Sequence, residues 1–88
     1  MDLEWDEEKR QETLRKRGLD FADVALIEHD SLISNEDRRH EYGEVRFSSF
    51  AYLNGRLINF CWTPRGNRIR IISLRKANDR ERKTYQAR

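Results

Sequence analysis

From Arg56 to the end, the chain carries eight arginines and only two lysines. Guanidinium forks hold phosphate at two points, whereas a surface that merely solubilises is served equally well by lysine, so this bias points to a phosphate-bearing ligand. Arg65, Arg68, Arg70, Arg75 and Lys76 follow one another closely, with Arg46 and Lys9 upstream. Up to Gly55 there are 8 Lys/Arg against 14 Asp/Glu, a net of −6; from Arg56 onward there are 10 against 2, a net of +8. A chain so polarised invites a polyanion, and an acidic partner on the same side; alternatively, acidic helices and basic strands neutralise each other inside the fold. Cys61 is the only cysteine and His29 and His40 the only histidines, so neither a disulfide nor a zinc spacing exists. No metal and no cofactor is expected, and Cys61 reads as a buried, reduced strand residue.

These cations need a scaffold, and 88 residues supply one small domain spanning 1–88. With 39% charged and 36% hydrophobic residues the core must be lean, so a partner that covers part of the surface matters for stability. No apolar run approaches the roughly 20 residues that span a bilayer, and Met1-Asp2-Leu3-Glu4 lacks the basic-then-apolar order of a signal peptide. A cytoplasmic protein without a membrane partner is expected. Asp6 as N-cap, Glu7 and Glu8 in the first turn and Lys16-Arg17-Gly18 at the end predict a helix over Asp6 to Arg17. Phe21, Val24, Ala25 and Ile27 behind Asp20 predict a shorter, more buried second helix. Asp30 to Glu44 reads as a polar connection with a short strand near Ser31 to Ser34. From Val45 the period changes to 2, with Val45, Phe47, Ala51 and Leu53 on one parity. Asn54-Gly55 is a hairpin signal, because both central residues of a type I′ turn need positive φ. Leu57 to Thr63 returns, Thr63-Pro64-Arg65-Gly66 suits a type I turn, and Arg68 to Leu74 forms the next strand. Asn78 and Glu81 make a capping box for a last helix.

The fold class is therefore α+β: two N-terminal helices, an antiparallel meander of three to four strands and a C-terminal helix, with the helices on one sheet face. Ile69 and Ile71 read as core, which turns Arg70 to the open face. Arg75 has the nominal parity of Ile69 but lies at the strand's end. It either reaches the open face as a phosphate ligand or pairs with Asp6 or Glu8 of the first helix. Trp5 and Trp62 read as core.

Several motifs, in this order, resemble the BrnT toxin family: Trp5-Asp6-x-x-Lys9, Lys16-x-Gly18-x-x-Phe21, Tyr42-Gly43-Glu44-x-Arg46, Arg65-Gly66-x-x-Ile69-Arg70-Ile71-Ile72-Ser73-x-Arg75-Lys76-Ala77 and Glu81-x-x-x-Tyr85. The resemblance implies a RelE-like fold and a ribonuclease that arrests translation. It also implies neutralisation by a BrnA-type antitoxin, whose complex with the toxin binds the operon's promoter DNA. The sequence departs from the family at Arg17, where histidine is common, at Thr13 and at Leu74.

Metal-independent RNA cleavage needs an acceptor for the 2′-hydroxyl proton, a donor for the leaving 5′-oxygen and cations for the phosphorane. Glu44, two residues before Arg46, fits the acceptor, with carboxylate and guanidinium facing one phosphate; its other role is a turn-stabilising ion pair. Histidine is the side chain type best suited to proton transfer near neutral pH, and His40 is a candidate, but it lies in the polar connection, where a solvated group is the alternative. Tyr85 either delivers a proton, stacks on a base or packs the last helix. Arg70 joins Glu44, Arg46, His40 and Tyr85 in the catalytic set. Arg65, Arg68, Arg75, Lys76 and Lys9 are expected to bind RNA phosphates. The competing readings are a non-catalytic basic module for nucleic acid and a subunit that docks an acidic protein.

Overall fold

The computed structural model describes residues 2–88. Five strands form one sheet in the order β1-β5-β4-β3-β2: β1 Leu3–Trp5, β2 Ile33–Glu36, β3 Phe47–Leu53, β4 Arg56–Arg65 and β5 Arg68–Lys76. β2 to β5 pair antiparallel, whereas β1 runs parallel to β5. The expected meander is its centre. The short strand expected near Ser31 to Ser34 is β2, displaced by two residues, and β1 raises the count above the three to four expected, because Leu-Glu-Trp is too short for alternation to register.

Helix α1, Glu7–Arg17, is capped as its sequence dictates. The Asp6 carboxylate accepts from the Glu8 and Lys9 backbone amides, and Gly18 ends the helix at φ 68°. The second N-terminal helix is corrected to a 3₁₀ segment, Phe21–Leu26, capped by Asp20. Its anchors explain the tighter winding: Phe21, Val24 and Ile27 recur every three residues, the spacing that eclipses on a 3₁₀ turn, and all three are buried. A further 3₁₀ turn, His29–Ser31, leads into β2. Phe21 and Val24 pack with Ala51, Ile58, Phe60, Ile71 and Leu74 in the core, and Trp5 and Trp62 lie partly buried against it.

The helices do not share a face. α2, Asp79–Gln86, opens with the expected Asn78–Glu81 capping box and closes over the opposite side of the sheet, where Tyr85 meets Tyr52 edge to face at 5.5 Å. α1 lies beside the β5 edge that β1 leaves free, its Arg17 Nη1 donating to Leu74 O at 2.7 Å. Asn54 and Gly55 adopt φ 52° and 76°, as the type I′ turn requires. The second hairpin differs from expectation. β4 continues through Pro64 and Arg65 opposite Arg68, and the turn is Gly66-Asn67. Pro64 is tolerated because it lies beyond Trp62, the last β4 residue with a β3 neighbour.

One irregularity sets the side-chain faces. Cys61 pairs with Ser73 but Trp62 pairs with Ile71, which leaves Ile72 as a bulge. The bulge resets the alternation, so Ile71 and Leu74 both enter the core while Arg70, Ser73 and Arg75 all take the other face. Cys61, on that face of β4, is half-buried and free.

Candidate active site

Five residues singled out in the sequence meet beside the junction of β1 and β5. Lys9 of α1, Glu44 and Arg46 from the segment before β3, Arg65 at the end of β4 and Arg70 of β5 line one cleft of about 210 Å³, together with Asp6 and the bulge residues. Local structure delivers each of them. β1 pairs Glu4 with Arg70, and Arg70 Nη1 donates to Glu4 Oε2 at 2.9 Å. The Asp6 cap turns the chain from β1 directly into α1, which brings Lys9 to the same rim. Gly43, at φ 73°, takes a conformation that favours glycine just ahead of Glu44. Thr63 Oγ1 then ties the segment down by donating to Val45 O at 2.6 Å.

Glu44 accepts from Arg46 Nε at 3.1 Å and from Arg65 Nη2 at 3.4 Å. The Arg46 guanidinium also sits 4.1 Å above the Tyr42 ring, a cation–π contact that limits its motion. The expected pairing of Glu44 with Arg46 is therefore present, formed by a bend and not by a strand. The side chains of Arg46, Glu44 and Arg70 are 28%, 30% and 32% exposed, which leaves them open to a ligand yet partly desolvated. Lys9 forms no ion pair among the described residues. The cleft can thus hold an oxyanion between guanidinium groups beside a carboxylate that already gathers two N–H donors.

The remaining candidates lie elsewhere. Lys9 also borders a depression with Thr13, Lys16, Arg17 and Ser73, and Lys16 and Arg17 border another with Arg75 and Lys76. The three hollows share lining residues and form a cationic groove between α1 and β5. Lys16 and Arg17 were not among the expected phosphate ligands. Their signal was the spacing of Lys9, Thr13, Lys16 and Arg17, which puts them on one helix face. Arg75 is on the open face but pairs with Glu81 through two bonds of 2.7 and 2.9 Å, not with Asp6 or Glu8. That guanidinium holds the Glu81 carboxyl below its ordinary value, outweighing burial, which acts the other way. Arg68 is exposed at the hairpin and lines none of these hollows. His40 rests edge-on against Tyr42 at 5.7 Å, in a neighbouring depression that shares Glu44 with the cleft. Tyr85 is occupied in packing: its hydroxyl donates to Ser31 O at 2.5 Å.

The segment from Asp37 to Arg46 that walls the cleft is pinned at its start. Asp37 accepts from Arg39 Nε and Nη2, both at 2.9 Å, and from the Tyr42 hydroxyl at 3.2 Å. Arg39, by side chain and backbone, and then Tyr42 hold the Asp37 carboxyl far below the usual carboxylate range.

No helix among the described residues is long and apolar enough to cross a membrane. No curated protein matches the sequence significantly. The family model described as "Ribonuclease toxin, BrnT, of type II toxin-antitoxin system" matches residues 5–81, a span that contains every residue lining the cleft. By that match the chain belongs to the BrnT family, the ribonuclease toxins of type II toxin–antitoxin systems, which act on RNA and have an antitoxin partner.

Proposed function

We propose that the chain is a metal-independent endoribonuclease of RelE-like fold, a single cytoplasmic domain spanning 1–88, which arrests translation until a BrnA-type antitoxin covers its basic groove. The promoter of its operon is bound only through that antitoxin complex. The observation that carries the reading is the convergence of Lys9, Glu44, Arg46, Arg65 and Arg70 on one cleft. Glu44 takes the proton of the 2′-hydroxyl, and the freed oxygen attacks the adjacent phosphorus. A cyclic phosphate forms as the bond to the 5′-oxygen breaks. Arg46, Arg65 and Arg70 hold the non-bridging oxygens, whose added charge they stabilise in the transition state more than in the ground state. The leaving oxygen takes its proton from Lys9, the cleft's cation without a carboxylate partner. The groove past Lys16 and Arg17 toward Lys76 carries the flanking phosphates.

The test is cleavage of single-stranded RNA in EDTA. Wild-type protein is expected to cut, and Arg46→Ala to lose about 10²–10³ in rate, as for deletion of one aimed donor. A folded Arg46→Ala protein that cuts at the wild-type rate would remove the cleft from the chemistry. RNA bound but never cut by wild type would favour a non-catalytic basic module.

A further inference from the structure

The sheet face opposite the core carries a second cavity, of about 440 Å³, which the proposed cleavage chemistry does not use. Asn59 in its floor is 2% exposed, and its Nδ2 donates to Ser48 Oγ at 2.9 Å and Ser49 O at 3.0 Å. A carbonyl can only accept, so the contact with Ser49 fixes which end of the amide is nitrogen. Both amide hydrogens are then engaged, while Oδ1 accepts from none of the described residues. No fully buried polar side-chain atom among them lacks a partner, so this oxygen keeps its access through the cavity that Asn59 lines.

The walls are compensated in charge. Arg75 is clamped by Glu81, and Arg39 by Asp37. Phe50, half-buried, contributes an aromatic ring. Such walls suit a neutral planar group better than a phosphate, and the volume lies in the ordinary range for small-ligand sites. The cavity also adjoins the groove that leads to the cleft, because Ser73 lines both. Because of the Ile72 bulge, Arg70 and Ser73 stand opposite Thr63 and Cys61, only two residues apart on β4, roughly 7 Å at strand rise.

We propose that this cavity receives one base of the RNA substrate, close to the cleaved linkage, and that Asn59 Oδ1 selects a base bearing an exocyclic amino group over uracil. The proposal rests on the ribonuclease reading for the identity of its ligand. An exocyclic amino N–H projects from the base edge to the lone acceptor, whereas the one N–H on uracil's edge, at N3, is flanked by two carbonyls that bring further acceptors against the same oxygen.

The test needs no mutation of the buried asparagine. Labelled wild-type protein is titrated with the 3′-monophosphates of adenosine, cytidine, guanosine and uridine while the Asn59 side-chain amide resonance is followed. At least one amino-bearing nucleotide is expected to shift that resonance with an affinity about tenfold above that of uridine monophosphate. Equal responses, or none at Asn59, would overturn the proposal. Cleavage-site mapping on mixed-sequence RNA keeps the two readings apart. Cutting without base preference at any position defeats the pocket and leaves the ribonuclease standing. Nucleotide discrimination at Asn59 without any cutting supports the pocket and defeats the ribonuclease.

Discussion

Replacing Glu44 by Gln separates chemistry from architecture. Two bonds end on this carboxylate, from Arg46 and Arg65, and the side chains concerned are 30%, 28% and 50% exposed. Solvent screens ion pairs so exposed, and each contributes about 0.2–1 kcal/mol. Glutamine keeps an amide oxygen for one of the two, so the expected destabilisation is below about 1 kcal/mol, or less than about 4–8 °C in Tm for a chain of this size. Loss of a general base lowers the rate by about 10²–10⁴, and even the lower figure corresponds to about 2.7 kcal/mol of barrier. The catalytic effect therefore exceeds the structural one. RNA affinity should stay equal or rise, since a negative charge beside the phosphate has gone. The assay is single-turnover cleavage of labelled RNA with protein in excess, alongside thermal melting by circular dichroism. A rate within about threefold of wild type would reduce Glu44 to a bridge between two arginines, far short of the effect of a general base. A Tm loss well beyond about 8 °C would make it a structural keystone and refute the screening argument.

Further expectations follow from other contacts. Lys9→Ala should flatten the dependence of log affinity on log salt by about 0.7, one phosphate contact on a single strand; filter binding at several salt concentrations measures it, and an unchanged slope would take Lys9 off the RNA path. Asn78→Ala removes half of the capping box and should cost about 1 kcal/mol, about 4–8 °C in Tm, read by thermal melting. Glu81 has its carboxyl lowered from the ordinary 4.5 by Arg75, so it binds protons less readily when folded and contributes stability above that pH. That contribution fades as pH falls below 4.5, and Glu81→Gln should therefore lower stability at pH 7 while weakening its pH dependence below that value, as acid-titrated denaturant melts would report.

What could be read directly was whatever local chemistry alone decides. Asp6 and Gly18 bound α1, Asn54-Gly55 turns the first hairpin and Asn78 with Glu81 opens α2, each because a side chain or a positive φ solves a problem within a few residues. Two nearby residues, Glu44 and Arg46, were legible as a pair for the same reason. The rest depended on partners distant in the chain. β1 exists because Leu3 and Trp5 join Ile69 and Ile71 beside the core, and three residues carry no period of their own. The Ile72 bulge is a property of the β4–β5 register, yet it decides that Arg75 takes the open face and meets Glu81 instead of the first helix. Lys16 and Arg17 looked like ordinary cations at a helix C-terminus until α1 was laid beside β5.

The chemistry of the cut ends tests the central claim most directly. Purified protein is incubated with a defined RNA in EDTA, and the termini of the products are identified by mass spectrometry. Attack by the 2′-hydroxyl, with Glu44 as acceptor and the arginines on the phosphorane, predicts a 2′,3′-cyclic phosphate or its hydrolysed 3′-phosphate on one fragment and a free 5′-hydroxyl on the other. A 3′-hydroxyl with a 5′-phosphate, or cutting that stops when EDTA is added, would mean that water or a metal supplies the nucleophile and would contradict the mechanism assigned to this cleft.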